Sequence, residues 1–216
     1  MSEIQASDEL IKIPVRGNAV LEGELDINPK SRGLVLMLHS SGDHRKNQNI
    51  NNIVEILRNK EFSTLLIDLL TPREDISYEY RYDYDFLTNR LTDITDWLFN
   101  QPKTRNLKIG YFGDLMGVAI AIKASVHYGS QIKALVSRSG RVDVTSEILD
   151  KLETPSLFIV GEFDSEILKW NDEAVKKIKC EKNLKIIKNA NYTFEQPEQL
   201  EEIGTLASSW FERHLN

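Results

Sequence analysis

The sequence predicts an α/β fold: a mostly parallel central sheet of about eight strands with an antiparallel N-terminal edge, helices on both faces and no large lid domain. Three observations predict it. Short apolar, β-rich runs alternate with longer amphipathic ones, the signature of strands joined through crossover helices. The first two runs are instead separated only by Arg16-Gly17-Asn18, a hairpin signal. And Gly113 and Gly117 frame a sharp passage from an apolar strand into a helix.

In chain order, strands are expected at 9–15 and 19–27, forming the antiparallel edge, then at 34–38. A helix over 47–60 places Ile50, Ile53, Val54 and Leu57 on one face. The strand 63–70 leads into Thr71-Pro72 and a long connection to a helix over 85–100. The strand 106–113 precedes a helix over 116–128 that is apolar nearly all round and so expected to be buried. Strands at 132–137, 155–161 and 183–188 alternate with helices at 144–152, 166–177 and 197–214. No repeat, low-complexity tract or linker interrupts this order, so residues 1–216 read as one domain.

Composition narrows the function classes. The net charge of −6 arises from 27 basic and 33 acidic residues with interspersed signs, which offers no nucleic-acid footprint. No segment has the length of an apolar membrane span, and the N-terminus has neither a basic start nor an apolar signal core. A cytoplasmic location without a membrane partner is therefore expected. One cysteine, Cys180, allows no intrachain disulfide and no multi-cysteine metal site, and reads as incidental. Neither a metal nor a cofactor is called for, and the oligomeric state is not written in the chain.

In a parallel sheet, chemistry gathers at the carboxyl ends of the strands. The run Gly113-Asp-Leu-Met-Gly117 has the form of a nucleophile elbow, yet its apex is Leu115, which carries no lone pair. Asp114 lies one residue too early to serve instead. Asp164, just past the strand ending at Gly161, suits either a catalytic acid or the N-cap of the next helix. The loop after the last strand, where a base would stand, offers Tyr192, whose ordinary pKa of roughly 10 makes it a poor base. Of the four histidines, His127 and His214 fall on helices, and His39 and His44 follow the third strand.

These segments together resemble the dienelactone hydrolase-like branch of the α/β-hydrolase fold across nearly the whole chain. The resemblance is carried by His39-Ser-Ser-Gly42, Leu66-Ile-Asp-Leu-Leu-Thr-Pro72, Ile109 to Gly117, Val136-Ser-Arg-Ser-Gly-Arg141, Leu157-Phe-Ile-Val-Gly161 with Asp164, and Phe194-Glu-Gln-Pro197. Active members read GASTG at the elbow and GATHLFEEP at the base loop. The resemblance implies that Leu115 replaces the serine, that Tyr192 replaces the histidine, and that Asp164 retains the acid. It makes the chain a catalytically inactive member that binds a small-molecule ligand or a protein partner. The alternative is a weak or rearranged ester or lactone hydrolase.

A site without a nucleophile still has amides. Met116 and either Ser40 or Ser41 would supply an oxyanion hole, and Arg138 and Arg141 could add contacts to an anion. The favoured reading has those arginines solvated or paired with Asp143 and Glu147. The tyrosine-rich run 78–86 is either a binding surface or a loop packed on itself.

Overall fold

Continuous apolar runs mark strands covered on both sides, and five of them, β3 to β7, lie side by side in parallel at the centre of the molecule. The computed structural model describes residues 9–38 and 48–216. Its strands are β1 (Glu9–Val15), β2 (Ala19–Asp26), β3 (Gly33–Leu38), β4 (Ser63–Ile67), β5 (Lys108–Asp114), β6 (Ile132–Arg138), β7 (Ser156–Gly161) and β8 (Lys182–Ile187). They form one eight-stranded sheet in the order β1-β2-β4-β3-β5-β6-β7-β8. β1 and β2 pair antiparallel through the turn at Gly17 and Asn18, both at positive φ, and β2 pairs antiparallel with β4. Every strand from β3 to β8 runs in one direction, so all their carboxyl ends emerge at one edge.

The helices are α1 (Gln48–Asn59), α2 (Tyr78–Tyr82), α3 (Tyr84–Asn100), α4 (Met116–Tyr128), α5 (Ser165–Lys177) and α6 (Pro197–Leu215). Helices α1 and α6 cover one face of the sheet, where Ile53, Leu57, Phe112, Ile159 and Phe211 share a core. Helices α3, α4 and α5 cover the other, with Leu91, Ile94, Tyr111, Val118 and Phe158. Helix α4 buries six consecutive residues, 117–122, because its first turns are enclosed by α3 and the sheet together. Its C-terminal end emerges, leaving His127 exposed. None of the described helices is long and apolar enough to cross a membrane.

Three elements differ from the sequence reading. The helix expected over 144–152 is a pair of short 3₁₀ turns, Val142–Thr145 and Leu149–Lys151. Thr145 bonds its own hydroxyl back to the Val142 carbonyl, a local hydrogen bond that competes with a regular helix among β-branched neighbours. The long connection before α3 contains the one-turn helix α2, which buries none of its residues. The strand expected over 63–70 ends at Ile67.

Phe211 fixes α6 onto the sheet. It is fully buried, meets Phe62 edge-on at 6.1 Å, and sits where a Cβ on Gly110 would come within 2.8 Å of its ring. Phe211→Ala is expected to cost about 3–5 kcal/mol, the usual range for emptying such a site, read as a lowered urea midpoint with an unchanged slope.

Candidate functional site

β5 ends at Asp114 and α4 begins at Met116, so Leu115 alone makes the turn. Its backbone stands at φ 49 and ψ −111, a conformation that costs an L-residue about 1–3 kcal/mol. The two glycines make the turn possible. A Cβ on Gly113 would lie 2.8 Å from the Val118 Cα, and one on Gly117 would lie 2.6 Å from the Leu38 carbonyl oxygen. The loop after β6 grips the apex from both sides: the Leu115 amide donates to the Arg138 carbonyl at 3.0 Å, and the Arg141 amide donates to the Leu115 carbonyl at 3.1 Å. Leu115 and Met116 are both half-buried. Ser40 and Ser41, together with His39 and His44, lie outside the described residues.

Beneath the apex the structure places an ion pair that the sequence reading did not. Arg138 Nε and Nη2 each donate to an Asp114 carboxylate oxygen at 2.8 Å, in a fork-to-fork pair whose side chains are almost wholly buried. Asp114 and Arg138 are direct partners across the β5–β6 ladder, which sets both side chains on the same face of the sheet. Arg138 is thus committed to Asp114, not to solvent, Asp143 or Glu147, and Asp114 is held as its counter-ion. The guanidinium also lies over the ring of Phe194, 5.6 Å from its centroid. Arg141 does pair with Asp143, at 2.9 and 2.8 Å, and its hydrogen bonds hold the Asp143 carboxyl below its usual range. The Arg141 guanidinium lies 4.9 Å from the centre of the Trp170 ring.

Asp164 occupies the N-cap position of α5, but its side chain makes no capping hydrogen bond. Its Oδ2 is buried with no hydrogen-bond partner among the described residues, and burial raises its pKa. The loop carrying Tyr192 is drawn against the Asp164 loop. The Phe163 amide donates to the Ala190 carbonyl at 2.9 Å, and the Asn189 amide donates to Glu162 Oε2 at 2.8 Å. Gly161 permits this approach, since a Cβ there would sit 2.6 Å from the Ala190 carbonyl oxygen. Tyr192 itself is 48% exposed. Phe194, fully buried at φ 48, anchors the loop instead.

The tyrosine-rich segment is both self-packed and exposed. Tyr78 and Tyr82 meet at a tilt of 39° with centroids 4.4 Å apart and Tyr80 meets Phe86 at 5.0 Å, yet Tyr78 remains 74% exposed. Tyr84 lies close enough to Arg141 and Asp143 to feel their charges; its pKa is raised by burial, with Arg141 opposing. A shallow cleft of about 420 Å³ opens elsewhere, between β1 and α3, where Arg16 and Asp93 are already paired at 2.6 Å. Among the described residues no group of three or more His, Cys, Asp or Glu could hold a metal ion. Cys180 is half-buried, its thiol directed to the Thr154 carbonyl and its pKa raised by burial.

Comparison with known proteins places these features in context. No family model matches the chain. Its fold superposes on the crystal structure of a dienelactone hydrolase from Anabaena variabilis with a TM-score of 0.94 and 36% identity, covering 98% of this chain and 100% of that one. The esterase Est1E from Butyrivibrio proteoclasticus shares the fold at a TM-score of 0.77 and 16% identity, covering 96% of this chain and 98% of its own. Two Mycobacterium tuberculosis proteins, each named "Putative phosphoribosyl transferase", are 36% identical over 208 residues, which is 96% of this chain but 47% of theirs. The chain thus spans about half the length of the curated relatives it matches.

Two predictions follow from the buried groups. Arg138→Met removes the guanidinium that forks the buried Asp114 carboxylate and is expected to cost about 3–5 kcal/mol, whereas Asp114→Leu combined with Arg138→Met recovers most of that loss in chemical denaturation. Asp164 has a raised folded pKa, so its ionisation opposes folding, and this penalty is absent well below the ordinary carboxylate range and complete above the folded pKa. Asp164→Asn should therefore raise the melting temperature at pH 8 and leave it nearly unchanged at pH 3.

Proposed function

Because the chain belongs to the dienelactone hydrolase family of α/β-hydrolase-fold proteins, we propose that it is a non-catalytic member, one that uses the carboxyl edge of its sheet for binding a small ligand or a protein partner. The observation that carries this reading is Leu115 at the strained apex, where the fold presents a nucleophile. Ester hydrolysis by an elbow enzyme needs an attacking hydroxyl, an imidazole to take its proton, and a carboxylate to orient that imidazole. Here the apex side chain is aliphatic, Tyr192 is a phenol open to solvent, and Asp164 keeps a buried oxygen with nothing to orient. Each change alone removes most of the rate; both together leave only amides and shape.

Of the two binding classes, a protein partner is favoured by the mycobacterial relatives. In them a segment matching this chain is part of a chain about twice as long that is named for a transferase. The matching segment has the frame of an esterase, so the named transfer chemistry is assigned to the unmatched half. Covalent linkage raises the effective concentration of two units that act together. The partner proposed for this chain is accordingly a phosphoribosyl transferase unit of the kind that the relatives are named for.

The second reading, a weak ester or lactone hydrolase, is favoured by Asp164, whose unpartnered buried oxygen is what an acid awaiting a base would present. An assay on p-nitrophenyl acetate and an unsaturated lactone separates the two. The unmodified chain is expected to match background, and Leu115→Ser with Tyr192→His to exceed it by roughly a hundred-fold, the lower end of what a positioned base contributes. Activity of the unmodified chain that disappears in Asp164→Ala would overturn the non-catalytic reading.

A further inference from the structure

We infer that the cleft between β1 and α3 is a binding site for a guanidinium group carried on an apolar stem. The cleft lies at the flank where β1 ends the sheet, and what it binds is independent of any reaction or partner at the carboxyl edge. Its volume of about 420 Å³ falls within the range of small-molecule sites. Pro14 and Val15 line it from the strand, and Asp93, Asp96, Trp97 and Asn100 line it from the helix. Helix α3 already shows how it holds such a group. The Arg16 guanidinium donates from Nε to Asp93 Oδ1 at 2.6 Å, from Nη1 to Asn89 Oδ1 at 3.2 Å and from Nη2 to Thr92 Oγ1 at 2.8 Å. Asn89 and Asp93 stand at the i, i+4 spacing that puts two side chains on one helix face. Asp96 and Asn100 repeat that spacing within the cleft, in the opposite order.

What this second pair leaves unused is acceptor capacity. Asp96 Oδ1 accepts from the Tyr128 hydroxyl at 2.8 Å, and Oδ2 accepts nothing among the described residues. The Asn100 amide nitrogen donates to the Asp96 carbonyl at 2.7 Å, so the free atom of that side chain is its oxygen. The charge of Arg16 is matched by Asp93, which leaves Asp96 as the net charge of the lining; Gln101 adds a neutral donor and acceptor. The cleft reaches the C-terminal end of α3, whose last turn holds no basic residue, so the helix dipole adds negative potential there. Lys103, just beyond the cap, is held by Glu9 at 2.6 Å, and Arg105 does not line the cleft. Trp97 decides between cations. Its indole packs partly against the core and lines the cleft together with Asp96. A planar guanidinium lies on an indole face while its N–H groups fork to a carboxylate, a combination closed to a compact ammonium. Arg141 makes that combination elsewhere in the molecule, forked to Asp143 at 2.9 and 2.8 Å and 4.9 Å from the centre of the Trp170 ring.

The test is an NMR titration of the full chain with butylguanidinium chloride, run beside butylurea, which has the same shape and no charge. Asp96→Asn removes the carboxylate charge while keeping an oxygen for the Tyr128 hydroxyl, and Trp97→Leu removes the indole while keeping apolar bulk. Glu198→Gln, which removes an exposed carboxylate on α6, is the control. Thermal melts confirm that the variants fold; should Trp97→Leu not fold, the Asp96→Asn and butylurea comparisons decide alone. Saturable shifts are expected at the amides of residues 93–101. Butylurea is expected to bind at least about ten-fold more weakly, and affinity for butylguanidinium to fall at least about ten-fold in Asp96→Asn and about five-fold in Trp97→Leu, with the control within about two-fold. The peptide Gly-Gly-Arg-Gly-Gly distinguishes the source of the group. Tighter binding than butylguanidinium assigns it to an arginine of a protein chain and weaker binding to a free small compound, and both uphold the site. Absence of saturable shifts in the cleft, equal binding of butylurea, or undiminished binding by Asp96→Asn would each overturn the inference.

Discussion

The constraint on which the rest of the molecule depends is the near-contact of backbones where α4 leaves the sheet. Val118 stands over Gly113, and the Leu38 carbonyl stands against Gly117, with no space for a Cβ at either glycine. This approach sets the height of α4 above the sheet, and so sets which of its residues are enclosed between β5, β6 and α3. The price is an apex residue at positive φ. Burial of Val118, Ile120 and Ile122 supplies far more than the strain removes, at about 1.5–3 kcal/mol for each large apolar side chain.

Around this turn, polar groups that sequence logic assigns to chemistry are drawn into architecture. Asp114 and Arg138 close a buried pair across β5 and β6, and Arg138 carries the linkage onward to Phe194, at the foot of the loop that holds Tyr192. Such a pair adds little net stability over an apolar substitute of the same shape, whereas removing one member of a buried pair is strongly destabilising. Its effect is geometric: the elbow, the β6 loop and the final loop keep one mutual arrangement whether or not a reaction occurs there. Asp164, by contrast, has no hydrogen-bond partner for its buried oxygen among the described residues.

Much of the fold was legible because it is written in local patterns. The limits of β1 and α4 and the start of β4 match the sequence reading, since hairpin glycines, flanking turns and continuous apolar runs mark them directly. The stretch after β6 departs from the helix expected over 144–152 because the Thr145 hydroxyl closes a turn on itself. At the site, motif positions point to Leu115, Tyr192 and Asp164, and the structure sets Leu115 at the turn from β5 to α4 and Asp164 at the start of α5. The Arg138 pairing could not be read in this way, because Asp114 lies 24 residues away and becomes a neighbour only through strand register. The Arg141–Trp170 contact was hidden for the same reason. Local signals specify elements; partners across the sheet follow from topology.

The glycine frame also bears on what a sequence motif can report. Gly113 and Gly117 are required by the distance between a helix and a sheet, a requirement indifferent to the side chain at the apex. Their presence is information about packing, and the identity of the residue between them is the information about reaction. A search that weights the two glycines as heavily as the central position will gather enzymes and silent relatives into one class. Distinguishing them needs the apex, the final loop and the orphaned carboxylate to be read as a set.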